Sequence, residues 1–403
     1  MRILIASDLH YPTINGIATF GRNLAQGLAA DGHEVVVVAP SQTGRAGEET
    51  DGNYRIIRTM SLVFPFYQNL RVSMSPAREI KSIVKKFKPD VIHVQTPLGI
   101  GLGAIQAAKK FDIPLVATNH AMSENLIDNM RLLAPFAKQI DFILRQYGNR
   151  FYSNADYVTL PTTAAIHMLK SQSFAKPHAA ISNGVDLSQF GPGKVGPEVR
   201  EHFGIPAKVP VVMYLGRLDS EKHVSVLIRA AKRLTVQKFQ VVVVGFGNDL
   251  DRLEDLAGAL GISDRVTFTG RVDEDDKADL LRTASIFVMP SPAELQSIAT
   301  LEAMASGLPV VAVHAGALHE LCVDGKNGLL YPLDDDAVMA QHIGNLLDHP
   351  KLRTQMGEAS LELARRHDLT TTIKSFEDLY ERVLKDHKKE EATQPALAGV
   401  ETD

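Results

Sequence analysis

The chain reads as an α/β protein built from two doubly wound, Rossmann-like domains in series. Three observations predict this. Short apolar runs of strand length alternate with helical periodicity along the chain, the order that gives parallel sheets with helices on both faces. The alternation restarts after a turn-rich stretch near Asn183–Pro197. Finally, 403 residues suffice for two separate cores.

The elements follow in order. A buried strand over residues 2–7 runs into a glycine-containing loop, His10–Ile17, and a helix over 17–31. Gly32-His33 then turns the chain into strand Glu34–Ala39. Further strands are expected at Val91–Gln95, Pro114–Thr118 and Tyr157–Leu160. The second series begins at Val209–Tyr214 and recurs at Gln240–Val244, Val266–Phe268, Ile286–Met289 and Val310–Val313. The expected division is a first domain over 1–190, a second over 195–371, an amphipathic segment over 372–385 and a disordered tail over 386–403. The tail is charged and poor in apolar residues.

Composition is most useful for what it excludes. With 45% hydrophobic and 22% charged residues the chain is ordinary globular material. A single cysteine, Cys322, rules out an internal disulfide framework and a multi-cysteine metal site, and favours a reducing compartment. It reads as a small buried hydrophobe. Met1 leads straight into the first strand without an apolar signal segment, and no uncharged apolar run reaches spanning length. The expectation is a cytoplasmic protein, at most peripheral on the inner face of the cell membrane. The net charge of −4 conceals a basic first half and an acidic remainder. A basic half suits an anionic membrane surface or acceptor, and equally a mixed solvated surface. No nucleic-acid partner is expected.

Two constellations carry chemistry. The first is Glu294 and Glu302, one in a loop and one inside a helix. Ser291-Pro292 ends a buried strand, helical periodicity starts near Ser297, and Gly307-Leu308-Pro309 stops it. Glu294 therefore sits ahead of a helix N-terminus at a strand's carboxyl end, where open α/β sheets bind ligands. Unpaired N–H groups and a positive dipole end at Ser297-Ile298 suit a phosphate or a sugar hydroxyl. The second is the loop Gly216–His223, where Arg217 and Lys222 can neutralise a diphosphate, one by a planar fork and one as a mobile point charge. Gly245 and Gly247 permit either a close ligand approach or a simple tight turn. His120, after strand Pro114–Thr118, is open to a structural or a catalytic role. Gly16 lies in the loop between the first strand and first helix.

These segments closely resemble the donor-site signature of the retaining, nucleotide-sugar-dependent glycosyltransferases of family 4, which have the two-domain GT-B fold. The resemblance spans Arg2 to about Lys385 and is most specific at 216–222 and 291–312. It implies two Rossmann-like domains facing a cleft, with the last helix, 372–385, packed back on the first domain. It assigns Arg217 and Lys222, with Gly216, to the donor diphosphate, Glu294 to sugar hydroxyls and Glu302 to the ribose. Gly245, Gly247 and Val272 fall in loops that frame the nucleotide, and Gly16 faces the donor phosphate across the cleft. Gln296, Ser297 and Ile298 complete the donor loop, and His120 lies beside the transferred sugar. Transfer is expected to need no metal and no cofactor besides the donor substrate.

Departures from the family pattern sharpen the expectation. His223 stands where relatives carry glycine, and Asn15-Gly16 where they carry Gly-Gly. Gln296 resembles the glutamine of bacterial transferases that glucosylate diacylglycerol, which favours UDP-glucose as donor and a membrane lipid as acceptor. Ser297 in place of glycine bears on the sugar pocket. The alternatives are a mannosyltransferase using GDP-mannose on phosphatidylinositol or a glycan, a sugar-nucleotide epimerase of the same fold, and a binding subunit without turnover. No Gly-x-Gly-x-x-Gly with a following acidic residue points to a dehydrogenase. The apolar and basic stretch Asn125–Tyr152 reads either as a membrane-touching amphipathic helix or as helices packed on the sheet. Leu62–Tyr67 carries the same ambiguity, and Glu124 is a candidate acceptor contact.

Overall fold

The computed structural model describes residues 1–64, 71–120, 137–170, 174–235 and 238–393. Two sheets carry the architecture. The first has eight strands: β1 (Arg2–Ala6), β2 (Glu34–Pro40), β3 (Gly47–Asp51), β4 (Tyr54–Thr59), β7 (Val91–Val94), β8 (Leu115–Thr118), β9 (Tyr157–Leu160) and β10 (His178–Ala180), in the order β10-β9-β8-β7-β1-β2-β4-β3. All pairs are parallel except β3 with β4. Between β4 and β7, β5 (Ser61–Val63) and β6 (Arg71–Ser73) form a separate antiparallel hairpin.

The second sheet has six parallel strands: β11 (Val211–Leu215), β12 (Gln240–Val244), β13 (Val266–Gly270), β14 (Ile286–Met289), β15 (Val310–Val313) and β16 (Gly328–Tyr331), in the order β13-β12-β11-β14-β15-β16. Its central strands are buried on both faces, as sheets covered by helices on both sides must be.

Each sheet reverses its winding once, between β1 and β7 in the first and between β11 and β14 in the second. Such switch points open a crevice outside the carboxyl ends of the strands. In the second sheet Val212 pairs with Ile286 and Met213 with Phe287. The loops leaving β11 and β14 therefore emerge side by side, and these are the loops that carry Arg217, Lys222 and Glu294.

The last helix, Leu369–Thr393, docks on the first sheet. Ile373, Phe376, Leu379, Tyr380 and Val383 share one apolar core with β1, β2 and helix Gly16–Ala30. The expected tail starts too early, however: residues 386–393 are helical, because a run of Asp, His, Lys and Glu extends a helix already nucleated by the docked turns. Residues 394–403 lie outside the described residues.

Candidate functional site

Lys222 and Glu294 meet at the second switch point. Lys222 ends a short 3₁₀ turn, Ser220–Lys222, and its Nζ lies 2.7 Å from Glu294 Oε1 and 3.7 Å from Glu221 Oε1. Arg217 bonds Asp219 through Nη1 and Glu221 Oε1 through Nη2 at 2.5 Å. Glu221, fully buried, thus joins the two cations, and the chain of charges runs Arg217, Glu221, Lys222, Glu294. Burial alone would push the Lys222 pKa down, but Glu294 and Glu221 outweigh it and hold it above the ordinary lysine value. Asp219 and Glu221 did not stand out in the sequence; the only sign of them was acidic residues beside the two cations.

The glycines act on backbone approach. Gly245 has φ 142°, and a Cβ there would lie 1.8 Å from the Gly216 carbonyl oxygen. At Gly247 a Cβ would lie 2.3 Å from the Leu218 carbonyl. Both let the loop after β12 pack on the loop that carries Arg217, a close approach of backbone to backbone. His223 takes φ 50°, the left-handed conformation a glycine would supply, and its Nδ1 is held by Asp334 at 2.7 Å. The basic loop thus keeps a glycine-like path despite the substitution.

Ser297 caps the helix Ile298–Ala305: its Oγ accepts from the Thr300 N–H at 3.2 Å. Ile298 Cδ1 lies 3.9 Å from the Cβ position of Gly16, so the start of the first helix faces the start of the donor-loop helix across the domains. Asn15 caps helix Gly16–Ala30 through the Ala18 N–H. Val272 packs half-buried against the second core.

Glu302 is buried and held by a different cation. Lys277, on helix Glu274–Arg282, lies 2.7 Å from Glu302 Oε1 and 2.7 Å from Glu274 Oε2. The two carboxylates of the signature are thus each paired with their own lysine, Glu294 with Lys222 and Glu302 with Lys277. Lys277 was not singled out in the sequence; a lone lysine in an acidic helix carries no signal.

His120 stands at the carboxyl end of β8. Its ring packs on Phe20 with centroids 4.7 Å apart, its Nε2 is buried without a hydrogen-bond partner among the described residues, and burial lowers its pKa to about 3. It is therefore a neutral imidazole at the mouth of the first sheet. Gln296, expected only as a donor-loop member, accepts from the Asn183 N–H at 2.7 Å and the Ser182 hydroxyl at 3.2 Å. Glu124 and residues 125–136 lie outside the described residues, as do 65–67 of the apolar run. Among the described residues no group of His, Cys, Asp and Glu is placed to hold a metal ion.

Two family models match the chain: "Glycosyltransferase Family 4" over residues 14–189 and "Glycosyl transferases group 1" over 196–362. The alpha-monoglucosyldiacylglycerol synthase of Streptococcus pneumoniae is 28% identical over 82% of this chain and 75% of its own. A GDP-mannose-dependent alpha-mannosyltransferase of Mycolicibacterium smegmatis is 29% identical over 83% of this chain and 85% of its own. Among solved structures, the sucrose-phosphate synthase of Thermosynechococcus elongatus superposes with a TM-score of 0.82 over 96% of this chain and 100% of its own, at 22% identity, a likeness of fold.

Proposed function

The chain belongs to the family 4 glycosyltransferases of the GT-B fold, and from that footing we propose that it moves a hexose from a nucleotide sugar to an acceptor hydroxyl without a metal, retaining anomeric configuration. UDP-glucose is the donor we favour and a membrane lipid such as diacylglycerol the acceptor. The observation that carries the reading is the 2.7 Å contact between Lys222 and Glu294 at the second switch point. It supports the reading because a cation suited to a phosphate and a carboxylate suited to hydroxyls lie within one sugar's length of each other.

The chemistry follows from charge. Breaking the bond between the anomeric carbon and the leaving phosphate oxygen puts positive charge on the sugar ring and negative charge on the diphosphate. Preorganised cations stabilise that leaving group best where water is excluded. Lys222 stays an ammonium in its acidic surroundings, and Arg217 offers a fork already oriented by Asp219 and Glu221. Glu294 accepts from sugar hydroxyls. Glu302 meets the ribose through its second oxygen, its first being engaged by Lys277. His120, neutral and half-buried, contacts the transferred sugar. Glu294→Ala is expected to lower kcat by about 10²-fold or more with Tm held near wild type. Turnover at the wild-type rate in that folded variant would remove Glu294 from the mechanism.

Support for a lipid acceptor comes from exposed apolar residues of the first domain. Leu62 and Val63 on β5, and Phe142 and Ile143 on helix Ala137–Tyr152, are each about 60% exposed. That helix is buried at its far end, at Phe151 and Tyr152, and presents its earlier apolar residues outward. No helix among the described residues is long and apolar enough to cross a membrane, so the contact proposed is peripheral. Phe142→Ser with Ile143→Ser should reduce co-sedimentation with anionic vesicles severalfold while donor binding stays intact; equal sedimentation would argue for a soluble acceptor. The similarity to a GDP-mannose-dependent enzyme keeps GDP-mannose as the second donor to assay.

A further inference from the structure

Between Glu294 and Ser297 the donor loop turns toward the first domain. Leu295 is buried in that domain's apolar core, and its carbonyl accepts from Thr162 Oγ1 at 2.9 Å. Gln296 goes to the place where the chain crosses between domains. Residues 182–185 cross once and 367–369 cross back, and they are zipped together: the Val185 N–H donates to the His367 carbonyl at 2.8 Å, and the Leu369 N–H to the Val185 carbonyl at 3.0 Å. The Gln296 carbonyl accepts from Asn183 N–H and Ser182 Oγ–H, and the same Ser182 Oγ accepts from His367 Nδ1 at 2.9 Å and from the Gly184 N–H at 3.2 Å.

A backbone N–H at 2.7 Å can be met only by an oxygen, which fixes the amide's orientation. Gln296 Nε2 therefore points away from the crossings, where it is buried and has no partner among the described residues. A buried N–H left unpaired is costly, so its retention calls for a ligand oxygen. We propose that Gln296 is a positioning residue: the paired crossings hold its carbonyl so that its N–H donates to an oxygen of the bound nucleotide sugar, tying donor affinity to the domain arrangement. The inference rests on the transferase reading above and names how that site senses its partner domain.

The test uses the full chain with UDP-glucose and GDP-mannose as probes. Gln296→Glu keeps the oxygen that Ser182 and Asn183 hold and removes the N–H, and Gln296→Met removes both at similar volume. Both should raise the donor KM and calorimetric Kd by about tenfold or more with acceptor KM near wild type; Tm stays near wild type in Gln296→Glu and falls in Gln296→Met, which strands the buried Asn183 N–H. Ser182→Ala should move donor KM the same way by less, and adding it to Gln296→Met should add nothing further. Unchanged donor affinity in both Gln296 variants overturns the proposal. So does a fall in Tm with donor and acceptor KM rising together, or effects of Ser182→Ala and Gln296→Met that multiply. If the wild type binds a donor and these variants do too, only this inference fails; if the wild type binds neither donor, the transferase reading fails with it.

Discussion

At the residue scale, the site is a set of opposed charges that neutralise one another. Lys222 is enclosed, with Glu294 and Glu221 as its counter-charges. Deleting one member of a buried pair leaves the other uncompensated, at a cost of about 3–5 kcal/mol. Lys222→Ala should therefore lower both stability and donor binding, whereas Glu294→Gln, which leaves Glu221 beside the lysine, should lower activity with a small change in Tm. A Tm for Lys222→Ala equal to wild type would show the pair to be solvated. Gly245→Ala meets a different obstacle, since its Cβ would fall on the Gly216 carbonyl oxygen. Arg217, Lys222, Glu294 and Glu302 could each be named from spacing and from the family resemblance. Their partners could not: Glu221 joins Arg217 to Lys222 within their own loop, and Lys277 reaches Glu302 from the helix that precedes β14.

At the element scale, the buried parallel strands announced themselves as uninterrupted apolar runs. Gln240–Val244, Ile286–Met289 and Val310–Val313 match expectation to the residue. Of the strands that escaped notice, β3, β10 and β16 end the two sheets, β5 and β6 form the small hairpin, and β4 lies one place in from an edge. β3 is Gly-Glu-Glu-Thr-Asp on the surface, and β5, β6 and β10 have three residues each. Edge strands tolerate charge and brevity, so periodicity has nothing to read there. The first sheet also holds three histidines neutral by burial: His10, His93 and His120, each with a pKa lowered to about 3 from 6.5. His93 sits between Tyr380 of the last helix and Thr118 of β8. Between pH 6.5 and 3 the unfolded chain binds more protons than the folded one at these sites. Their contribution to stability is therefore constant above pH 6.5 and falls below it, by up to about 1.4 kcal/mol per pH unit for each histidine. Tm should drop clearly between pH 6.5 and 5; a flat Tm over that window would show that these imidazoles are solvated or ion-paired.

At the scale of the whole molecule, the two domains share the donor loop. Leu295 enters the first core, Gln296 meets the crossings, Ile298 packs beside helix Gly16–Ala30, and Glu294 stays with the second domain. Glu320 adds a further tie: its carboxylate accepts the Thr163 and Ala164 N–H groups at the start of helix Thr163–Lys170 in the first domain. None of these ties could be read along the chain, since each joins residues more than a hundred positions apart. The arrangement implies that a nucleotide sugar is bound by both domains at once. A crystal structure of the full chain with UDP-glucose or GDP-mannose tests this most directly. It should show Lys222 Nζ and the Arg217 guanidinium about 3 Å from the diphosphate oxygens, with Glu294 on hexose hydroxyls and Glu302 on the ribose. A donor lying elsewhere, with the Lys222–Glu294 contact undisturbed, would contradict the account.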